Sequence, residues 1–159
     1  MNESIAIVGR TNVGKSLLFN KLTKAKKSLV INYHGVTRDI NSGYIELDGK
    51  TIYIEDTGGI PEIADEFSQL IIDKVLKSIS QAKLILFVVS AADGLTNQDK
   101  EICKMLRKLD RNTVLLVNKC DLTRKSQPIS EFYELGMKEV YIVSAKNNIL
   151  PKFCDNVRL

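Results

Sequence analysis

The sequence predicts an α/β fold: a six-stranded, mostly parallel sheet with one antiparallel edge strand and helices on both faces. Three observations carry this. Six short apolar, β-rich runs occur, at "SIAIV" (4–8), "YIEL" (44–47), "TIYIE" (51–55), "LILFVV" (84–89), "TVLLV" (113–117) and "VYIV" (140–143). Most are separated by stretches with helical periodicity, and strands alternating with helices build a parallel sheet covered on both sides. Within "YIELDGKTIYIE", Asp48-Gly49 between two alternating runs marks a tight hairpin, so one strand must run against the others. With 159 residues, 44% of them hydrophobic, the chain fits one domain with a proper core.

Taken in order, the first run enters a Gly-rich turn and then a helix marked by Leu17, Leu18 and Leu22. After the hairpin, Leu70, Ile71, Val75 and Ile79 share a helical face ahead of the fourth strand. Ile102, Met105, Leu106 and Leu109 do the same behind it. Gly136 after "EFYEL" reads as a helix C-cap. The closing "ILPKFCDNVRL" places Leu150, Phe153 and Val157 on one helical face, with Pro151 tolerated in the first turn. There is no internal repeat, low-complexity tract or linker.

Composition narrows the setting. Three cysteines, Cys103, Cys120 and Cys154, form an odd set without C-x-x-C spacing, which points to neither a disulfide framework nor a zinc site but to a reducing cytosol. The opening "MNESIAIVG" leads straight into a strand rather than a signal peptide, and the longest apolar run is far too short to span a bilayer. The expectation is a soluble, cytoplasmic protein with no membrane role. Net charge is +4, concentrated in "KLTKAKK" (21–27) and "KMLRKLDR" (104–111). Lys24, Lys26 and Lys27 suit either a solvated helix end or contacts with RNA phosphates.

The chemistry lies at strand ends. "GRTNVGKS" (9–16) fits G-x-x-x-x-G-K-[ST] between a buried strand and a helix, the setting in which backbone amides cradle phosphates. Lys15 supplies charge to the β and γ phosphates, Ser16 a hydroxyl to Mg²⁺, and the helix N-terminus its dipole. "DTGG" (56–59) ends the third strand, placing Asp56 where it can hold magnesium through a water and Gly59 at the end phosphate. "NKCD" (118–121) chooses the base, because the Asp121 carboxylate accepts from the two donors on guanine's edge and would be unsatisfied by adenine. The Lys119 stem can cover the purine, Asn118 can tie this loop to the phosphate loop, and a backbone amide near Ala145 in "SAK" (144–146) can meet guanine O6. The expected nucleotide contacts therefore run through Gly9, Arg10, Thr11, Asn12, Val13, Gly14, Lys15, Ser16 and Leu17, then Asp56, Thr57, Gly58, Gly59 and Ile60, then Asn118, Lys119, Cys120 and Asp121, and finally Ser144, Ala145 and Lys146.

In the aperiodic "NYHGVTRD" (32–39), Thr37 is the candidate switch residue, its hydroxyl reaching Mg²⁺ and its backbone the γ phosphate. His34, the sole histidine, has no partner at a telling spacing and reads as a solvated loop residue. Arg10 and Arg38 could each mimic an arginine finger, though surface or phosphate contacts suit them better. Ile60, where a water-orienting residue is expected, can neither donate nor accept a hydrogen bond through its side chain.

With five guanine-nucleotide motifs in order, the chain resembles the translation-factor-like GTPases, P-loop proteins with a Ras-like domain. "VGRTNVGKSLLFNKL", "GVTRD", "DTGGI", "DGLTNQD", "NKCD" and "EFYELG" are similar, across essentially the whole chain, to the first GTPase domain of the Der (EngA) family, bacterial tandem GTPases of ribosome assembly. "DTGGI" with "GLTNQD" and "EFYELG" sets it apart from Era, MnmE and FeoB. The resemblance implies that residues 1–159 form a single GTPase domain excised from a longer protein. It implies GTP hydrolysis with Mg²⁺ in the bacterial cytoplasm, in association with ribosomes, and a role in large-subunit biogenesis. The large ribosomal subunit or its rRNA would be the partner, reached through the full-length protein, with no role for DNA. Relatives with an asparagine at the position of Asn12 and a hydrophobic residue after the glycine are similar in using potassium, which implies K⁺ at Asn12 and a catalytic set of Asn12, Lys15, Thr37 and Gly59. Two departures stand out: Ser90 replaces the usual aspartate, and "SAKNNILPKF" lacks the usual glycine. The alternatives are a slow or non-hydrolysing guanine-nucleotide-dependent binding module, or another Era-like domain such as one for tRNA modification.

Overall fold

Apolar residues on both faces of a strand demand cover on both sides, and the chain supplies it. The structure, a computed structural model, describes residues 4–25, 30–32, 41–47, 49–122 and 129–150. Seven strands, β1 (Ser4–Val8), β2 (Val30–Asn32), β3 (Asn41–Leu47), β4 (Lys50–Asp56), β5 (Leu84–Ser90), β6 (Asn112–Asn118) and β7 (Val140–Ile142), form one sheet in the order β2-β3-β4-β1-β5-β6-β7. Helix α1 (Lys15–Ala25) covers one face, and α2 (Glu66–Ile79) and α3 (Asn97–Lys108) the other.

The two-residue period of the strands splits the core cleanly. Ile5, Ile7, Leu84, Leu86, Val88, Val114 and Leu116 pack with Leu18, Phe19 and Leu22 of α1. Their neighbours Ala6, Val8, Ile85, Phe87, Val89, Leu115 and Val117 pack with Ile72, Val75 and Ile79 of α2 and with Ile102, Cys103 and Leu106 of α3. Every residue of β5 is buried, as its unbroken apolar run requires.

All six expected strands form, and β3 runs opposite in direction to the other strands, antiparallel to both β2 and β4. Leu47 pairs with Lys50, which makes the connection the two-residue hairpin loop read from the sequence; Gly49 takes φ +77°, and Asp48 lies outside the described residues. One correction concerns the edge. The seventh strand, β2, pairs Val30–Asn32 outside β3, so β3 is not the last strand over that half of its length. Three residues carry too little alternation to be visible as a strand, and their pairing is supplied by β3.

The segment before Gly136 is also different in kind. Ile129–Leu135 is a 3-10 helix, in which Phe132 and Leu135 lie three apart and are both buried, matching its three-residue turn. Gly136 closes it at φ +58°, its N–H donating to Tyr133 O at 2.9 Å, and the Arg107 guanidinium donates to the Leu135 carbonyl. Lys26, Lys27, His34, Thr37, Arg38, Cys154 and the proposed last helix lie outside the described residues, as does the side chain of Lys24. Cys103 and Cys120 are free thiols, each pushed above its ordinary pKa chiefly by burial. No helix among the described residues is long and apolar enough to cross a membrane.

Parallel pairing brings the ends of β1, β4, β5 and β6 to one edge: Ile7 lies beside Asp56, Val8 beside Phe87, and Ser90 beside Asn118. The chain leaves β1 toward α1 on one face, while β4 and β5 lie on its two sides, so the crevice opens above β1. Because β5 is wholly enclosed, Leu86→Ala is expected to destabilise the fold by about 2–5 kcal/mol in urea unfolding.

Candidate nucleotide site

The turn from β1 to α1 is tight enough to require glycine twice. A β-carbon on Gly9 would stand 2.3 Å from the Val88 carbonyl oxygen, and one on Gly14 (φ +96°) 2.4 Å from Asn118 Nδ2. Between them Asn12 takes a left-handed φ of +64°. Val13 turns its side chain into the core, while Thr11, Asn12, Ser16 and Leu17 remain exposed. Lys15 is buried, with Nζ donating to Arg10 O at 2.7 Å inside the loop.

The next strand brings up an acid and two glycines. Ser16 Oγ donates to Asp56 Oδ2 at 2.7 Å, and Gly58 N–H donates to Asp56 Oδ1 at 3.3 Å. Asp56 is fully buried, and Thr57 is fixed by Oγ1 donating to Ile7 O at 2.9 Å. A hydroxyl and a carboxylate side by side at a helix N-terminus are hard oxygen donors that suit Mg²⁺, which takes one or two protein ligands and completes its shell with phosphates and water. Gly59 lies flat on the phosphate loop: a β-carbon there would come 2.3 Å from Thr11 Cγ2 and 2.8 Å from Thr11 Cα.

At the end of β6, Asn118 uses both halves of its buried amide. Nδ2 donates to Val13 O at 2.9 Å, and Oδ1 accepts from Ala145 N–H at 3.1 Å. Lys119, at φ +61°, crosses back so that Nζ donates to Asn12 O at 2.6 Å. Ser144 Oγ donates to Asp121 Oδ1, which orients the carboxylate and leaves it lone pairs for two further donors. Cys120 is half-buried, its N–H donating to Val143 O at 3.4 Å. The Ala145 amide is engaged by Asn118, and Lys146 beside it is exposed.

The structure adds to the reading of two of these residues. Ile60 does not present its side chain to the phosphates; it is 1% exposed and packs into the core beneath α2 and α3. Its backbone is tied to the phosphate loop, with N–H donating to Gly9 O at 2.9 Å. Arg10, for which a surface or phosphate contact suits better than an arginine finger, is engaged within the fold. Its guanidinium turns away to Asp93 (2.6 Å) and Asp99 (3.3 Å), carboxylates beyond β5 and on α3 that spacing along the chain could not bring to it.

With this geometry in place the comparisons are decisive. Residues 4–119 match the family described as 50S ribosome-binding GTPase. The chain belongs to that GTPase family. It is 44% identical over 145 residues to GTPase Der of Buchnera aphidicola subsp. Acyrthosiphon pisum (strain Tuc7), covering 91% of this chain and 32% of that protein. GTPase Der of Shigella flexneri serotype 5b (strain 8401) is 40% identical over 143 residues, 90% of this chain and 29% of that protein. The chain thus spans about a third of the length of the curated relatives it matches. Among solved structures, Era in complex with MgGDPNP and a segment of 16S ribosomal RNA aligns with TM-score 0.73 and 28% identity, over 98% of this chain and 54% of that one. The G domain of the T. maritima FeoB iron transporter aligns with TM-score 0.70 and 25% identity, over 92% and 90% of the two chains.

The GTPase motifs were visible as words; the residues that hold them were not. Asp93, Gln98 and Asp99 lie in or beside "DGLTNQD", a stretch that only its family resemblance singled out. Thr96 N-caps α3 in a capping box with Asp99, a local signal that explains the helix start but not the pairing with Arg10. The hydrogen bond from Arg10 holds the Asp93 carboxyl below its ordinary pKa, against a desolvation that raises it. A depressed carboxylate stabilises the fold above its unfolded pKa of about 4 and loses that contribution as pH falls through the folded value. Asp93→Asn is therefore expected to flatten the acid limb of the stability profile below about pH 4, read by thermal melts across pH.

Proposed function

We propose that this chain is the first GTPase domain of a longer tandem GTPase, that it binds GTP and GDP, and that it hydrolyses GTP as a switch in large-subunit ribosome assembly. The observation that carries this reading is the Asn118 amide joining the phosphate loop to the base loop beside an Asp121 already oriented by Ser144. Base recognition and phosphate binding thereby become one rigid site. The names of the GTPase Der relatives and the description of the family support the reading, as does the structural likeness to Era, which was solved with 16S ribosomal RNA.

Each residue has a part. Amides of the Gly9–Ser16 loop would cradle the phosphates, with Lys15 Nζ exchanging the Arg10 carbonyl for phosphate oxygens. Ser16 and Asp56, with Thr37 from the first switch, would hold Mg²⁺; bound there, the metal neutralises charge on the β and γ phosphates. Gly59 would meet the end phosphate through its backbone. Asp121 would accept from guanine N1 and N2, and an amide at Ala145–Lys146 would donate to O6.

Hydrolysis needs charge stabilisation, because Ile60 is buried and orients no water. Asn12 supports a potassium site: its side chain is exposed at the loop's crest, and its backbone carbonyl, not its amide, makes the contact to Lys119. The amide oxygen would hold K⁺ beside the phosphates. A cation in such a place does the work of an arginine finger. Replacing sodium with potassium is expected to raise single-turnover GTP hydrolysis by at least about tenfold. Asn12→Ala should abolish that difference while leaving GDP affinity in place. Equal rates in the two salts would return the domain to the slower, binding-module reading.

Base choice is tested separately. Asp121→Asn is expected to weaken GTP binding by at least about tenfold and to favour xanthosine triphosphate, whose extra carbonyl accepts from the new amide. Titration of both nucleotides against wild type and variant checks it, and an unchanged GTP affinity would remove the guanine assignment.

A further inference from the structure

Ile60 is held by both backbone groups. Its N–H donates to Gly9 O at 2.9 Å, and its carbonyl accepts from Gln98 Nε2 at 2.8 Å. The side chain is locked in the core. Four residues earlier Asp56 is equally fixed, by burial and by Ser16, and Thr57 is tied to β1. Between these anchors lie only Gly58 and Gly59, and Gly59 rests against Thr11 with no room for a β-carbon.

One of these tethers comes from another layer of the fold. Gln98 stands in the first turn of α3, and that turn is itself fastened to the phosphate loop by the Arg10 pairs with Asp99, which is fully buried, and with Asp93. The Gln98 amide is thus mounted on a base locked to the phosphate loop. It sets where the two-glycine span ends.

We propose that Gln98 is a positioning residue for the triphosphate state: through the Ile60 carbonyl it holds the Gly58-Gly59 span at the height above the phosphate loop where the Gly59 backbone meets the end phosphate. The assignment rests on the guanine-nucleotide reading above and adds a residue to it. A diphosphate lacks the group that Gly59 meets. Gln98 therefore bears on the triphosphate and not on the diphosphate, and only such a differential shifts a switch.

The test compares affinities of the purified chain for a non-hydrolysable GTP analogue and for GDP. Gln98→Met keeps the length of the side chain and removes its donor. The ratio of analogue to GDP affinity is expected to fall about three- to tenfold, the worth of one such hydrogen bond, with GDP affinity at the wild-type value. Gln98→Lys restores a donor within reach and should recover most of the ratio. An unchanged ratio in Gln98→Met, an equal loss for both nucleotides, or a lysine variant no better than methionine would overturn the assignment. Wild-type chain showing no preference for guanine nucleotides would instead overturn the nucleotide reading, while a normal wild type with an unmoved ratio overturns Gln98 alone.

Discussion

The buried amide of Asn118 is the constraint on which the rest of the site depends. It reaches across 105 residues of sequence to Val13 and across 27 to Ala145, and both bonds are buried. An amide with a donor and an acceptor at opposite corners can join two loops only if they approach from opposite sides, which fixes their separation to within a hydrogen-bond length. Gly14 shows how close the fit is, since Asn118 Nδ2 occupies the space a β-carbon would need. Losing one partner would leave a buried polar group unsatisfied, at a cost of about 1–3 kcal/mol.

A second connection runs on the other side of the phosphate loop. There the cation comes from the loop itself and the carboxylates from elsewhere: Arg10 reaches Asp93 and Asp99, and Asp99 also accepts from the Thr96 amide in the α3 capping box. One carboxylate thereby starts a helix and fixes the loop to it. The site is clasped from β6 on one flank and α3 on the other.

What could be read from the sequence follows from where the signal resides. Strands and helices announced themselves because each buried face imposes its own period, and the five motifs did so because phosphate, metal and base each demand particular residue types. Ile60 was visible as a residue that cannot orient water, but its burial was not, since a single isoleucine after two glycines has no periodic context. Gln98 and Asp99 carry no periodic signal of their own, and only the packing of α3 against the loop brings them to it. β2 was too short to show alternation, and seven residues with Phe132 and Leu135 buried three apart fit the i, i+3 spacing of either helix type, so the 3-10 character of Ile129–Leu135 was not readable.

Asn12 and Lys119 share a feature with a wider consequence. Both hold left-handed backbone conformations, at φ +64° and +61°, and they are bonded to each other across the site. Glycine would adopt either conformation at no steric cost, whereas a lysine there carries strain of order 1–3 kcal/mol. Replacing both with glycine would relax the domain and erase the exposed amide at the loop's crest and the ammonium that bonds the Asn12 carbonyl. Selection for thermal robustness and selection for turnover therefore pull these two positions in opposite directions, and a stabilised descendant of this domain would be expected to lose its side chains here first.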